Sequence, residues 1–425
     1  MRGRVGDLLL AALLALAASG CSREPERAAL TDAGAALPGP AALDAGDAGN
    51  AGDAGDAGDA GDAGQAVVDP DPLPEAERRA IAGWIAFVSE RDGNPEVYLA
   101  RPTGEEERRL TRTPAAEYPV AADPDSAALL LVVVEEDPEH KLHLEQIVVQ
   151  PLDGGPGKAI GPRGGRDRNP SWSPDGRWVV FESDSESFSD LYRVGRDGSG
   201  LRRLTRNTEG NFEPALSPDG AQIAFVTSRD GDPEVYRMRA DGTGQQRLTA
   251  FHREDWAPRW SPDGKRLAFL SDREGRQRIY LMNADGTQLR SLTPQAPEAA
   301  VPAAPPPGGL AIPPAQPRLP DEFEPTWSPD GTRISYITRG AGTRARIWVT
   351  DVKSGASAAL TSGEHSDEAP TWSPDGRYLA FSSNRAGDPE IYLMRADGTG
   401  QTRLTRAKGS DWLPRWIPPG RNLQR

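Results

Sequence analysis

The sequence holds a single cysteine, Cys21, and four histidines among its 425 residues. One cysteine excludes an internal disulfide and any metal site built from several thiolates. Four histidines leave little material for a three-histidine metal site. Basic residues are also in the minority, 49 against 63 acidic ones, so the chain lacks the positive excess on which nucleic-acid binding depends. We therefore expect no cofactor, no metal and no nucleic-acid partner.

The longest apolar stretch lies close to the N-terminus. Arg2 and Arg4 precede an apolar run from Leu8 to Ala18, and Ser19-Gly20-Cys21 follows it. This order predicts a signal peptide over residues 1–20, which is too short to be a membrane-spanning helix. The small residues before Cys21 resemble the lipobox of bacterial lipoproteins. The resemblance implies lipidation of Cys21, anchorage in a lipid bilayer of the cell envelope, and export that favours the outer membrane.

Residues 22–82 have almost no apolar surface. From Asp44 to Gly64 the triplet Asp-Ala-Gly repeats nearly without interruption, and the whole segment has 13 acidic residues against 4 basic ones. Such a composition cannot offset the entropy of ordering a chain. We predict a disordered acidic linker over 21–82, with the lipidated cysteine at its start. As a flexible coil it would hold the next domain roughly 45 Å from the anchor.

The remaining chain consists of copies of one repeated sequence segment. Ala369 to Thr405 reads APTWSPDGRYLAFSSNRAGDPEIYLMRADGTGQTRLT, and similar segments start at Asn169, Glu213, Ala257 and Glu324. Short alternating apolar runs bounded by Gly, Pro and Asp predict strands joined as hairpins, four to a copy. Equivalent positions are Tyr98, Val148, Tyr192, Tyr236, Tyr280, Trp348 and Tyr392. A period in the forties with four strands predicts an all-β, seven-bladed β-propeller over residues 83–420, followed by a tail of 421–425.

The repeat departs from a regular pattern at two places. The first copy begins at its second strand, while Asp411 to Trp416 is a first strand with no blade after it. We predict that this C-terminal strand completes the N-terminal blade and leaves no open sheet edge. A Pro- and Ala-rich insertion over 295–320 separates the fifth and sixth copies, and its composition predicts an extended loop.

The motifs WSPDG, IAF, IYxM, ADG and RLT resemble the TolB-like propeller family over roughly residues 83–420. The resemblance implies a rigid binding platform. Prolyl-oligopeptidase-type enzymes share such propellers more loosely, but the sequence has no Gly-x-Ser-x-Gly nucleophile turn. It also differs from TolB itself, because a low-complexity linker precedes the first blade where TolB has an α/β domain.

The SPDG and ADG turns are nearly identical in all copies, so their aspartates are expected to form turns. The opposite face, made by the loops leading into each blade, varies and is the candidate binding face. Its acidic and aromatic positions predict a ring around a channel mouth that would suit a cationic or peptide ligand. An alternative is that these acids bond within their own loops and the aromatics fill gaps between blades. The candidate residues are Asp167, Asn211, Phe212, Asp255, Trp256, Glu322, Phe323, Asp367, Asp411 and Trp412.

On the same face, Arg91, Arg229, Arg273, Arg339 and Arg385 are expected to pair with Glu96, Glu234 and Glu390 across their hairpins. The leading interpretation is a monomeric, non-enzymatic lipoprotein of the cell envelope that binds a protein or peptide. The alternatives are a propeller hydrolase, a metal-dependent lyase using His252 and His365, or a structural spacer. His140 and His143 could ligate a metal only with help from another segment.

Overall fold

A computed structural model describes residues 71–137, 142–162, 164–293, 319–340 and 342–420. These residues form seven four-stranded antiparallel sheets arranged as successive blades, which confirms the predicted seven-bladed propeller. Equivalent positions pair identically in every blade, as in Phe87 with Tyr98 and Phe381 with Tyr392.

The strands follow chain order around the ring. Blade 1 has β1 (Trp84–Ser89), β2 (Glu96–Ala100), β3 (Arg108–Arg109) and the last strand, β28 (Asp411–Ile417). Blades 2 and 3 have β4 (Ala116–Ala122), β5 (Ala128–Asp137), β6 (Leu142–Pro151), β7 (Lys158–Ala159), β8 (Asp167–Trp172), β9 (Trp178–Ser183), β10 (Asp190–Gly195) and β11 (Arg202–Arg203). Blades 4 and 5 have β12 (Asn211–Leu216), β13 (Gln222–Thr227), β14 (Glu234–Arg239), β15 (Gln246–Arg247), β16 (Asp255–Trp260), β17 (Arg266–Ser271), β18 (Arg278–Asn283) and β19 (Arg290–Ser291). Blades 6 and 7 have β20 (Asp321–Trp327), β21 (Arg333–Arg339), β22 (Arg346–Asp351), β23 (Ser357–Ala359), β24 (Asp367–Trp372), β25 (Tyr378–Ser383), β26 (Glu390–Arg395) and β27 (Thr402–Arg403).

The ring closes as predicted. β28 pairs antiparallel with β1, from Trp84 opposite Ile417 to Ser89 opposite Asp411. The last strand of the chain is therefore the first strand of blade 1, and the pairing covers an edge that both chain ends would otherwise expose.

The core lies between blades. Along β5, Leu129, Leu131 and Val133 pack with blade 1, whereas Leu130 packs with blade 3. This explains the unbroken apolar run in blade 2, since both faces of the strand are buried. The blade tryptophans join neighbours too: the Trp260 indole N–H donates to the Ala215 carbonyl of the preceding blade at 3.0 Å.

The SPDG aspartates form turns, as predicted. In blade 5 the Ser261 hydroxyl donates to Asp263 Oδ1 at 2.6 Å, and the Lys265 amide donates to the same oxygen at 3.1 Å. These bonds hold the turn that brings Gly264 to a φ of 67°, a value that glycine adopts without strain.

The end of the predicted linker is not disordered. A short helix, α1 (Glu75–Ala80), precedes β1, and Leu73 and Ile81 are buried against blades 1 and 7. The Leu73 amide donates to Thr402 Oγ1 at 2.6 Å, and Arg395 pairs with Glu77 at 2.6 Å. Setting the linker boundary at 82 was therefore wrong, because two apolar anchors and an ion pair fix residues 73–81. Cys21, the signal peptide, the rest of the linker and most of the 295–320 insertion lie outside the described residues.

Candidate functional site: the opening-loop face

One edge of every blade brings three segments together. In blade 5 the first strand starts at Asp255, which pairs with Ser271 at the end of the second strand, and Ser271 pairs with Arg278 at the start of the third. We call the segments leading into β4, β8, β12, β16, β20, β24 and β28 the opening loops. The side of the ring that they share with the loops between second and third strands is the opening-loop face.

A recurrent ion pair holds this face. In blade 5, Arg273 Nη2 donates to both carboxylate oxygens of Asp255, at 2.9 and 3.0 Å. Its guanidinium also lies 4.4 Å from the centre of the Tyr280 ring. We call this arrangement the clamp. Blades 1 and 7 repeat it at 2.9 Å with Arg91 and Asp411, and with Arg385 and Asp367. Blade 4 has a neutral version of the clamp, in which Arg229 donates to the side-chain amide oxygen of Asn211 at 2.9 Å.

The expected pairing of these arginines with third-strand glutamates is therefore wrong. Glu96 accepts hydrogen bonds from Arg109 at 2.5 Å and from Thr111 at 2.6 Å, and both donors belong to the Arg-Leu-Thr segment of its own blade. Glu234 and Glu390 are held in the same way by Arg247 and Arg403. Arg339 pairs instead with Glu368 of the next blade at 2.5 Å.

The predicted acidic ring is not exposed at the channel mouth. All six polar candidates are buried: Asp167, Asn211, Asp255, Glu322, Asp367 and Asp411. Most serve as clamp acceptors. Glu322 has another structural task, because it accepts the Ile279 amide at 2.9 Å and the Thr293 hydroxyl at 2.8 Å from blade 5. These acids have structural roles, as the alternative supposed, but the bonds described here run to other loops or to the neighbouring blade and not within their own loops.

The aromatic candidates divide into two groups. Trp412 is buried and its ring lies 5.7 Å from that of Tyr118, and Phe323 packs against the core between blades 6 and 7. These two fill gaps between blades. Phe212 and Trp256 also pack in the core around blades 5 and 6, but in addition they line a cavity that opens on the opening-loop face.

That cavity has a volume of about 770 Å³ and spans blades 3, 4 and 5. Phe188, 48% exposed, stands in its wall on the loop between β9 and β10. The lining carries more carboxylates than guanidinium groups: Glu182, Asp184, Glu209, Glu213, Asp232 and Glu254 against Arg166, Arg168 and Arg229. Arg166 pairs with Asp184 of the same lining and Arg168 pairs with Glu145, which leaves five lining carboxylates against Arg229. The cavity is therefore acidic and partly aromatic.

Glu182, Glu213 and Phe188 were not among the sequence candidates. Phe188 lies in a loop with no counterpart motif in other copies. The sequence did contain a pointer to Glu213. It is an acidic residue directly before the blade-opening proline, where three other copies have the uncharged Asn169, Ala257 and Ala369. The Ala257 amide donates to Glu213 Oε2 at 2.6 Å, and the Glu213 amide donates to Glu182 Oε2 at 2.5 Å. Burial raises the pKa of Glu213 to about 7.

Blade 3 lacks the clamp. Ser185 stands where blades 1, 4, 5 and 7 have arginine, and among the described residues neither carboxylate oxygen of the buried Asp167 has a hydrogen-bond partner. The hydroxyl of Tyr192, the ring on which such an arginine would stack, also has none there. Burial raises the pKa of Asp167 to about 7, with Ser183 opposing the shift.

Within the part of the chain that the structure describes, no group of three or more His, Cys, Asp and Glu side chains could hold a metal ion. His140 lies outside that part. No described helix has the length and apolar character needed to cross a membrane.

A closed ring of seven four-stranded blades with a cavity on its variable face defines the class of protein, a seven-bladed β-propeller. Residues 206–312 and 321–424 match the family TolB beta propeller domain, PD40. The chain belongs to the TolB-like β-propeller family, as its repeats predicted.

Individual relatives are more distant. An uncharacterised protein of Agrobacterium fabrum is 31% identical over 97 residues, which are 22% of this chain and 32% of that protein. The chain thus spans about a third of that curated relative. An oligogalacturonate lyase in complex with manganese has a TM-score of 0.55 at 15% identity, over 77% of this chain and 86% of the lyase. A puromycin-hydrolysing peptidase of Mycobacterium tuberculosis has 0.53 at 16% identity, over 80% of this chain and 56% of the peptidase. At these identities the solved structures show the shared fold alone.

Proposed function

We propose that the protein is a non-enzymatic binding protein of the bacterial cell envelope, anchored by a lipid on Cys21, whose opening-loop face binds a protein or peptide partner. The observation that supports this most is the acidic, partly aromatic cavity across blades 3 to 5. Aromatic side chains supply rigid contact area, and carboxylates pair with lysine or arginine. A segment carrying positive charge and at least one apolar side chain fits this lining.

The side chains that line the cavity are held in place, which favours binding of a partner. Glu182 and Glu213 are fixed by backbone amides, and the clamp of blade 4 holds Arg229 at the rim. A site whose side chains are already held loses less entropy when a partner binds. The lipid anchor and the linker would let the propeller search the space near the membrane, and the outer membrane is the favoured location.

The test is crosslinking in intact cells, followed by affinity purification. The informative variant is Phe188→Ala with Phe212→Ala, because neither residue is fully buried. We expect it to bind its partner roughly tenfold to a hundredfold less tightly. The matched control is Leu201→Ala with Leu289→Ala, two exposed leucines beside the ADG turns. Equal recovery of every crosslinked protein by the two variants would contradict the proposed site.

An enzyme is the alternative, as a hydrolase or a metal-dependent lyase. Among proteins of similar fold, one solved structure is of a lyase in complex with manganese and another of a peptidase. Metal analysis of the purified full-length protein distinguishes a metal-dependent lyase from a binding protein. Stoichiometric manganese, zinc or calcium would support the lyase and count against a purely binding role.

A further inference from the structure

The central channel contains two arginines that form no ion pair with any carboxylate of the described residues. Arg259 and Arg415 occupy the same position in blades 5 and 1, directly after the blade-opening proline. The equivalent residues in blades 3, 4, 6 and 7 are uncharged: Ser171, Ala215, Thr326 and Thr371. Two blades of the ring thus differ from their neighbours in one respect, a guanidinium on the innermost strand.

Their electrostatic neighbours show that both side chains face the channel. Arg415 of blade 1 interacts with Glu324 of blade 6 and with Arg259 of blade 5. Neither blade 5 nor blade 6 is next to blade 1 in the ring. Side chains from blades that are not adjacent can meet only across the central channel. Arg259 is also exposed to solvent although protein surrounds it, as expected for a residue that lines a channel.

Each guanidinium retains free donors. Arg259 Nη1 donates to the Pro258 carbonyl at 3.1 Å, and Arg415 Nη1 donates to the Pro414 carbonyl at 3.0 Å. Neither arginine has a carboxylate within ion-pair distance among the described residues, whereas the clamp arginines of blades 1, 5 and 7 each have one. The five donors of a guanidinium form a fork that matches a carboxylate, and here most of them are unused.

The nearby glutamates do not fill this role, because they already bridge blades. Glu213 accepts the Ala257 amide at 2.6 Å, and Glu324 accepts the Ala369 amide at 3.1 Å. Both glutamates precede a blade-opening proline and hold a left-handed backbone, with φ of 51° and 55°. Each glutamate attracts one of the two arginines electrostatically, but its side chain is tied to the ring and forms no ion pair with that arginine.

Arg259 and Arg415 also repel each other. Burial lowers the pKa of both guanidinium groups, and Arg259 lowers that of Arg415 further. An anion placed between them would relieve this repulsion. Burial raises the pKa of both Glu213 and Glu324 to about 7, so near neutral pH each carries part of a negative charge beside the site. A singly charged carboxylate therefore fits better than a doubly charged phosphate.

We propose that Arg259 and Arg415 form a binding site for a carboxylate in the central channel, a site separate from the cavity on the opening-loop face. The ligand class is a molecule with one free carboxylate, such as a peptide C-terminus or a small organic acid. The site does not depend on the proposed partner, and either could exist without the other.

The probe is N-acetylglycylglycine, which carries one carboxylate, and its neutral C-terminal amide is the matched comparison. Ligand-observed NMR and thermal shift would be measured on the full chain at constant ionic strength. We expect the acid to bind and to raise the unfolding temperature, while the amide does neither. Arg259→Gln or Arg415→Gln should weaken binding roughly tenfold or more, because each removes a charge-assisted pair.

The control variant is Arg177→Gln with Arg202→Gln, which removes two exposed positive charges elsewhere on the propeller. It should bind the acid as the wild type does. Acid binding that survives in the Arg259→Gln, Arg415→Gln double variant would overturn the proposal, and so would an equal loss in the control. Phosphate binding more tightly than the acid would overturn the assignment to a carboxylate. The two channel variants should fold normally, since neither arginine has an ion pair, and unfolding curves without ligand check this.

Discussion

Blades 5 and 3 each consist of four equivalent strands, but only blade 5 has the clamp. In blade 5, Asp255 receives two hydrogen bonds from Arg273, and the guanidinium stacks on Tyr280. In blade 3 the aspartate, Asp167, is equally buried, yet Ser185 replaces the arginine. The sheet pairing is the same in both blades, Asp255 with Ser271 and Asp167 with Ser183. The clamp is therefore not required for a blade to form its sheet.

This difference shows what the clamp contributes to the stability of a blade with a buried carboxylate. A buried carboxylate without a cation costs several kcal/mol unless it takes up a proton. Burial raises the pKa of both aspartates, but in blade 5 Ser271 and Arg273 oppose that shift. In blade 3, Asp167 is left with a pKa of about 7. The clamp keeps a buried charge compatible with folding, whereas no cation among the described residues compensates Asp167 in blade 3.

The largest expected effect comes from blade 1, where the clamp joins the two ends of the propeller. Deleting residues 411–425 removes β28 together with Asp411, the partner of Arg91. It exposes the edge of β1 and the apolar side chains that Trp416 and Ile417 cover. We expect no cooperative unfolding transition, measured by circular dichroism. A truncated protein as heat-stable as the full chain would contradict the closure of the ring.

A smaller loss is expected when blade 5 loses its clamp and so resembles blade 3. Arg273→Ser leaves Asp255 buried and unpaired, which should reduce the free energy of unfolding by roughly 2–4 kcal/mol at pH 8. The loss should shrink at lower pH, because the stranded carboxyl can take up a proton. Urea denaturation at both pH values measures it. Arg202→Ser, at an exposed arginine outside any clamp, is the control and should change stability little.

In blade 3, removing the charge of the aspartate is expected to stabilise the protein, the opposite of the effect in blade 5. Because the pKa of Asp167 is about 7 in the folded chain and ordinarily 3.8, the folded state binds the extra proton between these values. Stability then falls as pH rises through this window. Asp167→Asn cannot ionise, so it should be more stable than the wild type by roughly 1–3 kcal/mol at pH 8 and similar to it at pH 4.

The matched comparison is Asp255→Asn, which should destabilise at pH 8 because Arg273 then loses its charged partner. Unfolding curves from pH 4 to pH 8 would give both differences. If Asp167→Asn also destabilised at pH 8, some cation must hold Asp167, and the contrast between the two blades would fail.

The fold could be predicted from the sequence because each blade is specified locally. Turn residues at fixed offsets and alternating apolar runs repeat in most copies, and the unmatched strand Asp411 to Trp416 indicated the closure. The α1 segment was missed for a physical reason: Leu73 and Ile81 are isolated apolar residues whose burial depends in part on blade 7, about three hundred residues away in the chain.

The candidate site was only partly predictable. The sequence showed that the opening loops vary, and Phe212 and Trp256 do line a cavity there. It did not show which way each acid points, because an aspartate that starts a strand can face the channel or the interior equally well. Arg273 decides this for Asp255, and that pairing joins residues 18 apart across a hairpin. The replacement of arginine by Ser185 was visible in the sequence, but its meaning depends on that geometry.

The smallest effect is expected from supplying blade 3 with the missing arginine. Ser185 follows Ser183 at the spacing by which Arg273 follows Ser271, so Ser185→Arg places a guanidinium within reach of Asp167 and Tyr192. We expect a gain of roughly 0.5–1 kcal/mol at pH 8, because ordering a long side chain offsets part of the new ion pair. The gain should vanish when Asp167→Asn is also present, which a double-mutant cycle measures directly. A gain that persists in that background would mean that the arginine stabilises through Tyr192 or the loop, and that the missing ion pair is not what distinguishes blade 3 from blade 5.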